Sequence, residues 1–210
     1  MQKLFFVIIL FSLIACEAEI PNPKKLGYQG IPTFEKTVDE KGDTITVEKP
    51  FIVPPFRFRN QDSVYITNED FKNKVYIVDF FFIKCPSICP EMTEQMLRIH
   101  EAFKDNNKVA LISHSIDYVN DSIPALKEHA EALGIKSANK WHFVETDRDQ
   151  TYEFAKHYMN TAVENEDAPG GYEHSGYLVL VDQDGHLRSY ADGTDSEKVD
   201  ELIKDIKLLL

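Results

Sequence analysis

The strongest feature of the chain is an apolar run at residues 75–82 that is rich in β-branched and aromatic side chains. A run of this kind is typical of a strand buried on both faces, as in the middle of a sheet. Beyond it, Met92, Met96, Ile99 and Phe103 recur at spacings of three or four, with polar residues between them. This spacing places them on one face of a helix. The pattern therefore predicts a buried strand followed by an amphipathic helix.

The rest of the chain shows the same two periodicities. A helix at residues 122–133 is expected to end at Gly134, and residues 182–185 have the composition of a hairpin turn. Residues 160–172 carry no clear pattern and are expected to be irregular. Further strands are expected at residues 34–38, 44–48, 56–58, 64–66, 109–116, 141–145, 176–181 and 186–190, and further helices at residues 149–158 and from 196 onward. The order of strands and helices indicates an α/β fold preceded by a hairpin.

The N-terminus has the pattern of an export signal. Lys3 precedes an apolar run that extends to Ala15 and is too short for a typical membrane-spanning helix. The stretch LIAC, which ends at Cys16, resembles the bacterial lipobox, in which the cysteine is lipidated and becomes the first mature residue. A plain signal peptide and an uncleaved anchor are the alternatives. We expect a lipoprotein signal peptide at residues 1–15 and an exported, membrane-anchored protein whose domain lies in the periplasm or otherwise outside the cytoplasmic membrane.

Composition bounds the remaining organisation. A polar stretch with proline and glycine follows the apolar run, so we expect residues 16–50 to be a lipid-anchored tether with a possible hairpin. Residues 51–210 are long enough for one domain, and the 43% hydrophobic content of the chain supports a packed core. The formal net charge is −12 and no basic cluster is present, so we expect no nucleic acid partner.

Cys85 and Cys89 form a local pair on the loop that leaves the first core strand. Pro90 favours the first helical positions, so Cys89 falls at or beside the N-cap, where free N–H groups and the helix dipole stabilise a thiolate. We therefore expect Cys89 to ionise more readily than a free cysteine. Pro86 favours an extended Cys85, so the two sulfur atoms can face each other. This arrangement suits a disulfide or a shared soft metal ion. A purely structural disulfide is the alternative, although a bridge over three residues restricts the unfolded chain little.

The strand, the dithiol loop and the following helix resemble the active-site unit of thioredoxin-like proteins, with CxxxC in place of CxxC. The stretch CPSICP at residues 85–90 also resembles the CPxxCP signature of the Sco/SenC family of copper chaperones, and the resemblance extends from about Pro54 to the C-terminus. It implies a thioredoxin-like fold with an N-terminal β-hairpin extension and inserted elements. It also implies an assembly factor that delivers copper to the Cu(A) site of a cytochrome c oxidase subunit or to another copper acceptor.

The third copper ligand of that family is a histidine just before a downstream strand, and His174 matches it in the stretch YEHSGYLVL. In a thioredoxin-like layout this loop lies beside the dithiol, so the resemblance implies Cys85, Cys89 and His174 as the ligands. Two thiolates and an imidazole form a soft set that suits Cu(I) and can hold Cu(II), while zinc remains possible on ligand type alone. The other histidines lack ligand spacing and are expected to be structural or solvent-facing: His100, His114, His129, His142, His157 and His186.

Two aspartates also stand out. Asp79 interrupts the apolar run six residues before Cys85, where a charged group is costly to bury, so its pKa should be raised. The same spacing in thioredoxins implies a proton acceptor for the dithiol, and a carboxylate that only caps a backbone group is the alternative. Asp117 matches the aspartate that ends the second core strand in the Sco family, but Tyr118 stands where that family usually has proline.

The same dithiol allows other functions. The first alternative is a thiol-disulfide oxidoreductase, an enzyme in which Cys85 and Cys89 reduce the cysteines of a partner by mixed-disulfide exchange. A thiol peroxidase of the thioredoxin-like class is a weaker alternative, because no peroxide-binding threonine and arginine set is evident near Cys85. The sequence therefore predicts a redox-active, metal-binding dithiol and leaves the choice between copper delivery and thiol reduction open.

Overall fold

The computed structural model describes residues 26–210, so the predicted signal peptide at residues 1–15 and Cys16 lie outside the described residues. Within residues 26–210, no helix combines the length and the apolar character needed to cross a membrane. The strands are β1 (Thr33–Val38), β2 (Thr44–Lys49), β3 (Arg57–Asn60), β4 (Tyr65–Thr67), β5 (Val75–Phe81), β6 (Val109–Ser115), β7 (Trp141–Glu145), β8 (Ala162–Glu164), β9 (Tyr172–His174), β10 (Tyr177–Val181) and β11 (Leu187–Asp192). The helices are α1 (Cys89–Ala102), α2 (Ile123–Ala132), α3 (Arg148–His157) and α4 (Ser196–Leu208), with 3₁₀ turns at Asn68–Phe71 and Pro169–Gly171.

Seven strands form one mixed sheet in the order β11-β10-β5-β6-β7-β3-β4. Strands β5, β6 and β7 are parallel, whereas β10 runs antiparallel beside β5 and β3 runs antiparallel beside β7. The hairpin predicted ahead of the domain is present as β1 and β2, which pair antiparallel outside the main sheet. The sheet and its four helices confirm the predicted α/β class.

The prediction of an irregular segment at residues 160–172 is wrong for residues 162–164 and for Tyr172, although residues 165–168 belong to no helix or strand. Strands β8 and β9 form a separate antiparallel hairpin in which Ala162 pairs with His174 and Glu164 pairs with Tyr172. Each strand has only three residues, and most of their side chains are half-buried or exposed. Strands this short give no readable alternation of apolar and polar positions, so the sequence pattern missed them.

Strand β5 lies inside the sheet between β10 and β6, and all seven of its residues are buried. Helix α2 covers one face, where the His129 ring stacks on Phe81 with 5.4 Å between ring centroids. Helix α3 covers the opposite face, where Phe154 contacts Phe58 edge-on at 4.9 Å. The predicted strand is therefore covered on both sides, and its carboxyl end delivers the chain directly into the dithiol loop.

His114 on β6 lies in the core without any polar partner. It is 0% exposed, and neither ring nitrogen makes a hydrogen bond. Its ring stacks on Phe80 at 4.9 Å and meets Phe58 edge-on at 4.7 Å. Burial lowers the pKa of His114 to about 3, because an imidazolium in this aromatic site would have neither water nor a hydrogen-bond acceptor.

Folding stability should therefore decline as the pH falls below about 6.5. The unfolded chain then takes up a proton at this imidazole while the folded chain does not, and the loss approaches about 1.4 kcal/mol per pH unit. We expect His114→Phe to remove this contribution from the pH dependence of the free energy of unfolding. Urea unfolding between about pH 4.5 and pH 7.5, roughly the range in which a free imidazole titrates, measures it. The partly exposed His157 provides the control, since His157→Phe should keep it. An unchanged pH profile in His114→Phe would contradict the assignment.

Candidate metal centre

The dithiol loop is held at both ends. At its start, the backbone N–H of Ile83 donates to the Asp121 carboxylate at 3.0 Å, and this carboxylate also accepts from the Ser115 hydroxyl at 2.7 Å. At its end, Cys89 is the first residue of α1, with Ile88 as the N-cap and a proline directly after it. The sequence predicted Cys89 at or beside the N-cap, and that placement is confirmed. The loop is thus fixed to the β6–α2 connection on one side and to a helix on the other.

His174 reaches the dithiol from the β8–β9 hairpin. It is the last residue of β9, and its Nε2 lies 3.2 Å from the Cys89 Sγ. Its Nδ1 lies 3.3 Å from the backbone oxygen of Ser175. The imidazole, predicted on a loop, thus lies on a hairpin, which brings together two residues 85 positions apart in the chain.

The three predicted ligand atoms converge. The two sulfur atoms and an imidazole nitrogen of His174 all lie within 4.8 Å of one another. Since zinc–sulfur and zinc–nitrogen bonds are about 2.3 and 2.0 Å, a metal ion of this size fits between atoms at such separations. Among residues 26–210, Cys85, Cys89 and His174 are the group of cysteine, histidine and acidic side chains that could hold a metal ion. The donor set is soft, which favours Cu(I) over the hard cations.

The two thiols differ in acidity, and the pKa of Cys89 shifts in the direction opposite to the sequence expectation. Burial, followed by the hydrogen bond to Cys85, raises the pKa of Cys89. Burial opposes the ionisation of Cys85 too, but hydrogen bonds from Cys89 and Ser87 outweigh it and lower its pKa. The expectation that Cys89 ionises more readily than a free cysteine is therefore wrong, because one thiol that donates to the other becomes the protonated member of the pair. Cys85 carries the thiolate first.

His174 is in the protonation state that a ligand requires. Burial lowers its pKa, an effect that the hydrogen bond to the Ser175 backbone only partly offsets. The imidazole is thus neutral at pH 7 and has a lone pair available for a metal ion. The neutral imidazole and the more acidic Cys85 thiol are thus the two donors of the site that are most readily available to a soft cation.

An open groove of about 360 Å³ leads to the sulfur atoms. Its walls are mainly apolar and include Phe81, Ile83, Leu97 and Leu133. Both cysteines line the groove, although Cys85 is only 9% exposed and Cys89 only 4%. A partner can therefore reach the sulfur atoms from this side while most of their surface stays dry.

Asp79 lies within β5 on the face that carries the dithiol. It is 3% exposed and accepts a hydrogen bond from the Ser113 hydroxyl, which in turn accepts from Trp141 Nε1 at 2.8 Å. Burial raises the pKa of Asp79 to about 7, and the Ser113 hydrogen bond only partly compensates. The predicted rise in pKa agrees with the structure. Ser113 and Trp141 could not be found from spacing, because they come from two other strands.

Asp79 should make the folded chain less stable as the pH rises from about 4 to about 7. In that range the folded state keeps a proton that the unfolded state has lost, so the loss approaches about 1.4 kcal/mol per pH unit. We expect Asp79→Asn, which keeps an acceptor for Ser113, to raise the free energy of unfolding at pH 8 by about 2–4 kcal/mol. The exposed Asp105→Asn should leave it nearly unchanged. Equal stability of wild type and Asp79→Asn at pH 8 would show that the buried Asp79 carboxylate does not destabilise the fold at that pH.

The second predicted aspartate, Asp117, lies outside the three ligands. Its buried carboxylate accepts hydrogen bonds from the Asn120 side chain at 2.8 and 3.0 Å and from the Tyr172 hydroxyl at 3.1 Å. Tyr118, at the position where the Sco family usually has proline, donates its hydroxyl to Glu164 of β8. Asp117 and Tyr118 thus both contact the hairpin that carries His174, a role that no sequence spacing indicated.

Of the six other histidines, His114, His142 and His129 are buried or half-buried among aromatic rings. The His142 Nδ1 lies 3.3 Å from the Asn60 side chain. None of the six belongs to the ligand group found within residues 26–210. The positions of His114, His129 and His142 agree with the expectation that the histidines outside the site are structural or solvent-facing.

A mixed sheet with a dithiol at the carboxyl end of an interior parallel strand, facing a histidine, defines a thioredoxin-like protein with a soft-metal site. The sequence model of the SCO1/SenC family matches residues 44–210, and the chain belongs to that family.

Three solved structures show the same fold. A SCO1/SenC family lipoprotein from Bacillus anthracis str. Ames is 25% identical with a TM-score of 0.68, over 76% of this chain and 95% of that one. BsSco, described with a disulfide switch and as a member of the Sco family of cytochrome c oxidase assembly proteins, is 31% identical with a TM-score of 0.65, over 75% and 92%. Copper-bound ScoI of Bradyrhizobium japonicum is 23% identical with a TM-score of 0.61, over 76% and 99%.

Proposed function

We propose that this chain is a copper-binding assembly factor that delivers copper to the Cu(A) site of a cytochrome c oxidase subunit or to another copper acceptor. The observation that carries the proposal is the convergence of two sulfur atoms and one imidazole nitrogen within 4.8 Å. The copper bound by a ScoI relative of the same fold, and the cytochrome c oxidase assembly role named for BsSco, support it. Copper is the cargo of this site.

Cys85, Cys89 and His174 have different roles in holding and releasing the ion. Cys85, the more acidic thiol, and the neutral imidazole of His174 offer donors before any proton is lost from Cys89. Cys89 completes the set once its proton leaves, because a metal ion competes with that proton. An acceptor dithiol entering the apolar groove replaces these donors one at a time, so that each bond to the old ligand breaks as a bond to the new ligand forms.

Copper titration of the anaerobically reduced chain tests this proposal. We expect one Cu(I) per chain in competition with a chromophoric chelator, and transfer of that copper to a reduced acceptor domain with a Cu(A)-type dithiol. The same chain oxidised to the Cys85–Cys89 disulfide is the matched control, since it lacks thiolates and should bind little copper. Equal copper binding by the reduced and oxidised chains would reject the dithiol site. Binding without transfer would reject delivery to such an acceptor.

The second candidate is a thiol-disulfide oxidoreductase that reduces partner cysteines. Both described cysteines are free thiols, and their sulfur atoms lie within 4.8 Å. The Cys85 thiolate would attack the partner disulfide to form a mixed disulfide, and Cys89 would then attack Cys85 and release the partner as a dithiol. Asp79 is the proposed proton acceptor for Cys89, since its pKa of about 7 allows it to take up and return a proton near neutral pH. Thiol labelling after reduction and mild oxidation tests whether the pair interconverts between dithiol and disulfide without unfolding. Such interconversion would support this activity.

We further propose that Cys16 carries lipid and that the domain is held on a membrane outside the cytoplasm, with residues 1–15 removed and residues 16–50 as the tether. The lipobox-like stretch supports it, as does the lipoprotein description of the Bacillus anthracis relative. Mass spectrometry of the mature N-terminus should show a diacylglyceryl-modified Cys16, and Cys16→Ser should release the chain from membranes. An unmodified terminus, or cleavage elsewhere, would reject the lipid anchor. Neither outcome changes the proposal for the metal site.

A further inference from the structure

Tyr172 links the β8–β9 hairpin to the core two residues before His174. Its hydroxyl donates to Asp117 at 3.1 Å, and Asp117 is 5% exposed. The Asn120 side chain and its backbone N–H bind the same carboxylate at 2.8–3.0 Å. The acceptor is therefore fixed before Tyr172 reaches it, so the hydrogen bond fixes the position of the hairpin and not that of Asp117.

Tyr172 and His174 lie on the same side of β9, because alternate residues of a strand share one face. Both rings contact Phe82, whose centroid lies 5.3 Å from Tyr172 and 6.0 Å from His174. The backbone of Gly170 also lies against Phe82, where an added Cβ would come within 2.7 Å of the Phe82 ring and 3.2 Å of Pro86. Tyr172 thus lies between two close contacts of the hairpin with the dithiol loop.

The hairpin has few other means of holding the imidazole in place. Its two strands pair over only three residues each, and both stand apart from the main sheet. At its base, the Ser175 hydroxyl donates to Asn160 at 2.7 Å and accepts from the backbone of Thr161 at 2.8 Å. These bonds fix the chain beyond His174. On the other side, the Tyr172 hydroxyl provides a partly buried polar bond, whereas the bonds of Tyr118 and Arg148 to Glu164 are exposed.

We propose that Tyr172 is a positioning residue for His174, acting through Asp117. The Tyr172–Asp117 hydrogen bond fixes the distance between the imidazole and the two sulfur atoms. It thereby limits the conformational freedom of His174, the third ligand. The inference rests on the proposed copper function for its effect on affinity. The effect of the Tyr172–Asp117 hydrogen bond on the position of the hairpin does not depend on that function and can be measured in the metal-free chain.

Tyr172→Phe tests the inference because it removes one oxygen atom and keeps the ring on Phe82. We expect copper affinity to fall about tenfold, the scale of one hydrogen bond to a charged group. The Cu(II) spectrum should show weakened nitrogen ligation. Amide hydrogen exchange at residues 172–176 should become faster in the metal-free chain. Thiol-disulfide exchange should stay at the wild-type rate, since it uses only the sulfur atoms.

Tyr118→Phe is the matched control. It removes another tyrosine hydroxyl that bonds the same hairpin, through Glu164, but this bond is exposed and water can replace it. We expect copper affinity within about twofold of wild type. Equal losses in Tyr118→Phe and Tyr172→Phe would overturn the assignment to Tyr172. In a double-mutant cycle, adding Tyr172→Phe to Asp117→Ala should cost far less than tenfold, and full additivity would overturn the route through Asp117.

The outcomes separate this inference from the proposed function. Wild-type affinity and wild-type hydrogen exchange in Tyr172→Phe, with copper binding intact in the wild-type chain, would overturn the inference and leave the function standing. If the wild-type chain binds no copper, the proposed function fails, and the hydrogen exchange of the metal-free variants still decides whether Tyr172 positions the hairpin.

Discussion

Replacing His174 by alanine should weaken copper binding by more than about 100-fold while sparing most thiol-disulfide exchange. Loss of a partner that only orients a metal ligand typically costs 10–100-fold in metal affinity, so loss of a ligand itself should cost more. The imidazole nitrogen lies 3.2 Å from the Cys89 sulfur, and no other histidine belongs to the ligand group of residues 26–210. No neighbouring imidazole is therefore in place to substitute for it.

The measurement pairs a competitive Cu(I) titration with a disulfide-reduction assay on the same preparations. His157→Ala is the matched control, because it removes an imidazole of α3 whose partner is Glu153 and which is not one of the three ligands. That variant should keep both copper affinity and exchange. Unchanged copper affinity in His174→Ala would remove His174 from the site and would make the oxidoreductase the better interpretation of the dithiol.

Replacing either cysteine by serine should abolish both copper binding and full dithiol exchange. A hydroxyl is a poor ligand for a soft cation and cannot form a disulfide. The two variants should still differ in one respect, because Cys85 has the lowered pKa and the greater exposure. Cys89→Ser keeps the attacking thiolate and should trap a mixed disulfide with the partner, whereas Cys85→Ser should not.

Mass spectrometry after incubation with a small-molecule disulfide reads out the trapped species, and urea unfolding confirms that both variants fold. Trapping by Cys85→Ser alone would show that Cys89 is the nucleophile. Retention of tight copper binding by either variant would contradict a site that uses both sulfur atoms.

The sequence by itself determined the local framework of the site. The apolar run at residues 75–82 predicted a strand covered on both faces, and all of β5 is buried. The spacing of Met92, Met96 and Ile99 predicted α1, whose buried face includes all three residues. Local periodicity is enough here, because burial on a strand or helix repeats along the chain. The placement of the cysteine pair between the strand and the helix could also be predicted from the sequence, since strand, loop and helix are contiguous.

The position of His174 was anticipated through the family resemblance, but its approach was not. The sequence pattern predicted a loop at His174, whereas the structure places this residue on a three-residue strand, where it pairs with Ala162. The Asp121 contact with Ile83 and the Asp117 contact with Tyr172 join segments 38 and 55 residues apart. Such bonds depend on how the chain returns to the sheet, and residues so far apart give no periodic signal.

The acidity of the two thiols also depended on tertiary structure. A helix N-terminus alone favours a thiolate at Cys89, and this local effect was all that the sequence could show. In the fold, burial and the neighbouring sulfur raise the pKa of Cys89, while donors around Cys85 lower the pKa of that thiol. Desolvation and pairwise hydrogen bonds depend on what surrounds each atom in three dimensions, so only the folded chain decides which sulfur carries the charge.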